Sequence, residues 1–155
     1  MAFKTEISIV IDDDSWKIEP YENLIKNAIK AAIKETKINI IDDIEISILL
    51  TNDKAQRILN KQFRKINKST NVLSFPSLVP FSDVFGLVGD ISLAFEIIKK
   101  EAKELEISFK DHLTHLIVHG FLHLLGYDHK KNKQALVMES LEIKILKKLD
   151  IKNPY

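Results

Sequence analysis

All five histidines of the 155-residue chain lie between residues 112 and 129, in the stretch HLTHLIVHGFLHLLGYDH. Imidazole is the commonest protein ligand for transition metals, and its charge changes near neutral pH. A segment that holds every histidine of the chain therefore points first to metal binding or to acid–base chemistry.

Helix geometry limits which of these histidines share an ion. Residues four apart lie on one helix face, so His115, His119 and His123 form a stripe. Ligand nitrogens must come within about 2.1 Å of a zinc ion, whereas about 12 Å of helix rise separates His115 from His123. The same reasoning excludes His112, His115 and His119 as a set. One helix supplies an adjacent pair, and the third ligand must come from elsewhere.

Gly126 offers a way to bring a third histidine back. Glycine readily adopts the positive φ angle that ends many helices, which lets the following chain carry His129 toward His119 and His123. The spacing H-x-x-x-H-x-x-G-x-x-H predicts one divalent ion per chain, with zinc as first choice. Three imidazoles leave the fourth zinc position for water, whose pKa falls to about 7, as in reactive sites.

A similar spacing occurs in metzincin peptidases, where a glutamate follows the first histidine and acts as the general base. In this chain that position is Gly120. Peptide hydrolysis by that route would lack its proton acceptor, so the glycine argues against a peptidase and leaves the metal site intact.

The other two histidines and the acid beside His129 have structural explanations. Of His112 and His115, we expect one at the surface and the other facing the core or contacting a ligand side chain. Asp128 is expected mainly to hold the turn that carries His129.

Composition indicates a globular, cytoplasmic protein. Hydrophobic residues make up 45% and charged residues 29% of the chain, and its length fits one domain over residues 1–155. The sequence has no cysteine, which excludes disulfides and thiolate ligands. The N-terminus does not resemble a signal peptide, and no apolar run approaches the roughly twenty residues of a membrane span. We therefore expect no membrane partner.

The elements that position the histidines follow from hydrophobic periodicity. Four strands are predicted, at residues 5–12, 44–51, 71–77 and 89–95. Pro76 confines the third strand to an edge or an end of the sheet. Helices are predicted after Pro20, after Asn52 and, in three segments, from residue 96 onward. We expect a single-domain α+β fold, with a roughly four-stranded mixed sheet, about five to six covering helices and the metal site on a helix of the C-terminal half.

A basic segment precedes the third strand. Between residues 54 and 68 it contains no acid and six cations, which are Lys54, Arg57, Lys61, Arg64, Lys65 and Lys68. Such a segment in a chain of net charge +1 could bind phosphate groups. Composition alone favours a solvated helix face.

Four blocks of the sequence together resemble the YbeY family of bacterial endoribonucleases, which mature ribosomal RNA. They are HGFLHLLGYDH, the arginine and VLSFP strand of LNKQFRKINKSTNVLSFP, the GDI at residues 89–91, and MESLE in the last helix. The blocks follow the family's order from residue 59 onward. Asn67 and Asn71 depart from the pattern, because the family commonly has aspartates there, and any role of those carboxylates is weakened.

The resemblance implies that His119, His123 and His129 hold a catalytic metal and that Arg64 is important for cleavage. A guanidinium offers paired donors to a phosphodiester whose negative charge grows in the transition state. The implied activity is zinc-dependent cleavage of single-stranded RNA in 3′-end maturation of small-subunit ribosomal RNA and in ribosome quality control. RNA and the ribosome are the implied partners, and DNA is not expected.

Three lysines are the least specific part of the predicted site. Lys61, Lys65 and Lys68 would steer the RNA backbone toward the cleft, an effect that weakens with salt. Two alternatives stay open, namely a metallopeptidase-like hydrolase and a non-catalytic RNA- or ribosome-binding factor braced by its metal. The basic segment fits the second alternative as well as the nuclease, while the open fourth metal position favours chemistry.

Overall fold

A computed structural model describes residues 3–155, and its elements confirm the expected α+β class with a four-stranded mixed sheet. The strands are β1 (Thr5–Ile11), β2 (Ile40–Thr51), β3 (Val72–Pro76) and β4 (Val84–Ala94). The α-helices are α1 (Glu22–Thr36), α2 (Asp53–Arg64), α3 (Phe95–Glu104), α4 (Phe109–Leu125) and α5 (Asn132–Lys148), and a short 3₁₀ helix spans Asp14–Lys17. Residues 1 and 2 of the expected single domain lie outside the described residues.

The sheet has the order β1-β2-β4-β3. β1, β2 and β4 run parallel, and β3 pairs antiparallel with β4. β3 is thus an edge strand, and Pro76 is its last residue, as expected for a residue that cannot donate to a strand ladder. Alternate residues of β2 are buried beneath the helices; they are Ile44, Ile46, Ile48 and Leu50.

The fourth strand differs from its prediction. It begins at Val84, so Gly89 lies inside the strand rather than at its start. The added residues Phe85 and Leu87 are exposed, which hides the alternation that marks a half-buried strand. The pairing with β2 also shifts, because Glu45 pairs with Leu87 and the next residue, Ile46, pairs with Gly89.

Helix α4 lies at the centre of the helical layer, in contact with α1, α3, α5, β3 and β4. Leu113, Ile117 and Phe121 are fully buried, and apolar residues around most of a helix are typical of a buried one. Its N-terminus is capped by Ser108, whose hydroxyl accepts from the backbone N–H of Asp111 at 3.0 Å. The helix that carries four of the five histidines is therefore held firmly by its neighbours. Within residues 3–155, no helix combines the length and apolar character needed to cross a membrane.

The shifted pairing at Gly89 gives a testable consequence for stability. A Cβ at Gly89 would lie 2.6 Å from the carbonyl oxygen of Phe75 and 2.7 Å from Leu124, at a φ angle of +153°. We expect Gly89→Ala to lower the free energy of unfolding by about 2 kcal/mol or more, because a backbone atom must move. Urea unfolding measures the change.

Gly86→Ala is the matched control, because Gly86 also has positive φ, at +65°, but a Cβ there would meet nothing within 4 Å. It should cost only the backbone strain, about 1 kcal/mol. Equal decreases in stability for both variants would contradict the packing argument.

Candidate metal centre

The end of α4 and the segment after it bring His119, His123 and His129 together. Their ring centroids lie 4.6 to 5.3 Å apart, and one ring nitrogen of each lies within 4.8 Å of the other two. The Nε2 atoms of His119 and His123 are 3.1 Å apart, close to the roughly 3.4 Å expected between two nitrogens on a tetrahedral zinc. Three imidazole donors in this arrangement fit a divalent transition metal.

Gly126 produces the reversal that carries His129 back. It adopts a φ angle of +114°, and its N–H donates to the carbonyl of His123 at 3.1 Å. A Cβ at this position would lie 2.7 Å from the side chain of Pro80. The loop before β4 therefore packs directly against the end of α4, and the N–H of Phe81 donates to the carbonyl of Leu125 at 2.9 Å.

Hydrogen bonds on both sides of the turn orient His123 and His129, the candidate ligands nearest to it. The Nδ1 atom of His123 lies 2.9 Å from the carbonyl oxygen of Tyr127; since the carbonyl only accepts, Nδ1 carries the proton and Nε2 is free for a metal. Asp128 accepts from the N–H of His129 at 2.7 Å, which holds the turn. Burial, together with the neighbouring His119 and His129, lowers the pKa of His123 to about 4.

A buried acid, Glu142 of α5, lies behind the histidines and is absent from the sequence prediction. Its side chain is 1% exposed, and one carboxylate oxygen lies 2.6 Å from Nε2 of His115 and 3.2 Å from Nδ1 of His119. The hydroxyl of Tyr155 donates to both carboxylate oxygens at 2.9 and 3.0 Å. Burial alone would raise the pKa of Glu142, but hydrogen bonds from the two histidines lower it to about 2.

A sequence signal for Glu142 does exist. Met138, Glu142, Ile145 and Leu146 follow helical spacing, and all four are buried. An acid on the apolar stripe of an amphipathic helix requires a buried partner. The histidine-rich helix is the natural candidate for that partner.

Neither of the two remaining histidines lies at the surface, so the expectation that one of them would do so is wrong. The side chain of His112 is 6% exposed and contacts Glu101 at 2.9 Å. The side chain of His115 is 15% exposed and contacts Glu142. Both imidazoles pair with acids from neighbouring helices, which the sequence of α4 alone does not reveal.

Arg64, the last residue of α2, faces the same cavity as the three histidines. This cavity has a volume of about 550 Å³ and is lined by Arg64, His119, His123 and His129, among others. The Nη2 atom of Arg64 donates to the carbonyl of Ser74 at 2.6 Å, and the guanidinium lies 5.8 Å from the ring centroid of Phe75. Arg64 and the three histidines thus line the same cavity.

The predicted lysines occupy a different position. Lys61, Lys65 and Lys68 are exposed, and among the described residues the lysine that lines the cavity is Lys130. Lys130 follows His129 directly in the chain. Of the basic segment, Arg64 thus lines the cavity, whereas Lys61, Lys65 and Lys68 lie on the exposed surface outside its lining.

The two asparagines that depart from the family pattern make hydrogen bonds of their own. Asn67 accepts from Nε of Arg57 at 3.0 Å, and Asn71 donates to Glu101 at 2.9 Å. An aspartate at position 71 would place two carboxylates in contact, so the amide suits this chain. Within residues 3–155, the hydrogen bonds of these two side chains do not include Arg64.

Gly120 is a packing position. A Cβ on it would lie 3.1 Å from Oγ of Ser74 and 3.2 Å from the side chain of Ile91, and its carbonyl accepts from the Ser74 hydroxyl at 3.1 Å. The Cβ atom of any side chain at this position would contact side chains of β3 and β4. A glutamate at the position where a metzincin carries its general base would therefore require the side chains of Ser74 and Ile91 to shift by a few tenths of an ångström.

Comparisons with known proteins agree in the family that they indicate. The sequence matches the family described as Endoribonuclease YbeY across residues 7–150. A relative named Endoribonuclease YbeY from Bartonella henselae is 46% identical over 96% of this chain and 96% of its own length. Another with that name, from Bradyrhizobium sp., is 43% identical over 95% of this chain and 90% of its own.

A solved structure has the same fold. The solution structure of TM1509 from Thermotoga maritima is similar, with a TM-score of 0.64 and 30% identity over 92% of this chain and 88% of that one.

The lowered pKa of His123 predicts how the chelator-treated protein responds to acid. The unfolded chain binds a proton at His123 near pH 6.5, whereas the folded chain binds it only near pH 4. The unfolded state therefore holds more protons between these values, and folding stability falls as the pH decreases through this window.

His123→Gln removes this titration. The free energy of unfolding of the wild-type chain, minus that of the variant, should be larger at pH 7 than at pH 4.5. Urea unfolding with chelator at both pH values measures it, and a difference that does not change with pH would contradict the assignment.

Proposed function

The chain belongs to the YbeY family of endoribonucleases, and we propose that it cleaves single-stranded RNA with one zinc ion held by His119, His123 and His129. The observation that carries the proposal is that three imidazoles and Arg64 face one cavity. We further propose that its substrate is the 3′ end of small-subunit ribosomal RNA, in the cytoplasm, and that it acts in ribosome quality control.

The chain's own residues divide the chemistry between two sides of the cavity. A divalent ion on the histidines supplies positive charge and Lewis acidity. Arg64 uses one nitrogen to bond Ser74 and keeps further N–H donors for phosphate oxygens, whose negative charge grows in the transition state. A phosphodiester bound in this cavity would meet both Arg64 and the three histidines, because all four residues line it. Either water or the RNA's own 2′-hydroxyl is compatible with this arrangement as the attacking group.

Ser74 sets the relative position of the two sides. Its carbonyl accepts from Arg64, and its hydroxyl donates to the carbonyl of Gly120 on α4. The arginine and the histidine helix are therefore tied to the same residue of the edge strand. Positioning of this kind is a main source of rate enhancement when the protein itself performs little covalent chemistry.

An RNA cleavage assay tests the proposal. Purified zinc-loaded protein should cut single-stranded RNA more readily than duplex RNA. His123→Ala removes a metal ligand, and Arg64→Ala removes the donors to phosphate, so each should lower the rate at least about 100-fold. Chelation should stop cleavage, and added zinc should restore it.

Arg57→Ala is the matched control, because Arg57 lies on the same helix but bonds to Asn67 on its exposed face. It should keep close to the wild-type rate. Equal cleavage by all four proteins, or by none, would overturn the assigned site. Metal-dependent digestion of casein in a parallel assay would favour a peptidase instead.

The three lysines give a separate prediction about binding. Replacing Lys61, Lys65 and Lys68 with glutamine should reduce the slope of log affinity against log salt by about 0.7 for each phosphate that a lysine no longer neutralises. Fluorescence anisotropy with a single-stranded RNA at several salt concentrations measures the slope.

A control variant for the three lysines makes the same change of net charge at the end of another helix. Lys30, Lys34 and Lys37 are also exposed, but they lie toward the end of α1, whereas Lys61 and Lys65 lie at the end of α2 beside Arg64. Their replacement with glutamine should leave the slope near that of the wild type. If both triple variants behave alike, the lysines act only through net charge.

A further inference from the structure

The cluster of Glu142, His115 and Tyr155 lies on the side of His119 that faces away from His123. We propose that Glu142, held in place by Tyr155 and His115, is a positioning residue that fixes His119 in the tautomer that presents Nε2 to the metal. The inference rests on the proposed metal site. It adds to that site three residues that support His119, namely Glu142, His115 and Tyr155.

The tautomer follows from what a carboxylate can do. A neutral imidazole carries one proton, and an ionised carboxylate only accepts hydrogen bonds. Because Nδ1 of His119 lies 3.2 Å from Glu142, the proton belongs on Nδ1, and Nε2 keeps its lone pair. That Nε2 atom is the one 3.1 Å from His123. Carboxylate partners of ligand histidines set ring orientation and raise ligand basicity in the same way.

A second metal ion is the rival interpretation of this cluster, because His115, His119 and Glu142 also place three ligand atoms within 4.8 Å. The distances favour hydrogen bonds instead. His115 and Glu142 are 2.6 Å apart, too short for two ligands on one ion, which lie roughly 3.4 Å apart around a tetrahedral zinc. The Tyr155 hydroxyl already occupies both carboxylate oxygens.

Burial makes these donors necessary. Glu142 is fully buried, and an ionised carboxylate away from water is costly unless hydrogen bonds replace its hydration. His115, His119 and Tyr155 supply three donors. If one donor is removed, the carboxylate must move or reorient, and His119 moves with it.

Tyr155 reaches the cluster from a segment that folds back after α5. The N–H of Ile151 donates to the carbonyl of Leu146 at 2.9 Å, which turns the chain back toward α4. Burial and the negative charge of Glu142 raise the pKa of Tyr155, so its hydroxyl stays protonated and donates. Tyr155 is 57% exposed as a whole residue, so removal of its hydroxyl leaves the core intact.

Zinc affinity, measured by competition with a chromophoric chelator, tests the inference without any activity assay. Glu142→Gln should weaken zinc binding about tenfold or more. Tyr155→Phe should weaken it less, about threefold, because Tyr155 reaches His119 only through Glu142. NMR of the imidazole nitrogens gives a second readout, in which His119 should lose its uniform Nδ1–H signature in both variants.

Two matched variants isolate the hydrogen bonds. Glu139→Gln makes the same charge change on the same helix, and Tyr21→Phe removes a hydroxyl that bonds Glu19; both should bind zinc as the wild type does. If folded Tyr155→Phe and Glu142→Gln proteins match the wild type in zinc affinity and tautomer, the inference is wrong and the metal site stands. If the wild-type chain binds no more zinc than His123→Ala, the proposed function and the inference fail together.

Discussion

A straight helix can present only two adjacent imidazoles to one ion, and the rest of the site follows from this constraint. The third imidazole arrives only because the chain reverses at Gly126, with its φ angle of +114°. The reversal in turn depends on close packing of Pro80 against that glycine. Residues from the loop before β4 and from α2 thus share one cavity with the end of α4. The arrangement of the three histidines therefore depends on the loop before β4 as well as on α4.

The sequence predicts those features that repeat with a fixed period or obey local stereochemistry. Strands, helices, the edge position of Pro76 and the helix end at Gly126 all fall in this class. It misplaces the start of β4 because exposed Phe85 and Leu87 interrupt the alternation. Glu142 escapes prediction because its partners lie on another helix. For the same reason, spacing along α4 does not show that His112 and His115 are paired with acids.

Charge along the chain is a weaker guide than stereochemistry. The six cations between residues 54 and 68 lie close together in the sequence, yet only Arg64 among them lines the cavity. Lys130 lines it from a distant part of the sequence. A helix distributes neighbouring charges around its circumference. A run of basic residues therefore shows which segment is positively charged, whereas tertiary packing decides where each side chain points.

Binding free energies are reciprocal. Whatever the docked hydroxyl of Tyr155 adds to the affinity of the histidine site for its ion, an ion in that site adds to the docking of the segment that follows α5. With an ion bound as proposed, the segment after α5 would be thermodynamically linked to metal occupancy through Glu142 and His119. Removal of the ion is therefore expected to weaken the docking of Tyr155, whose hydroxyl bonds Glu142.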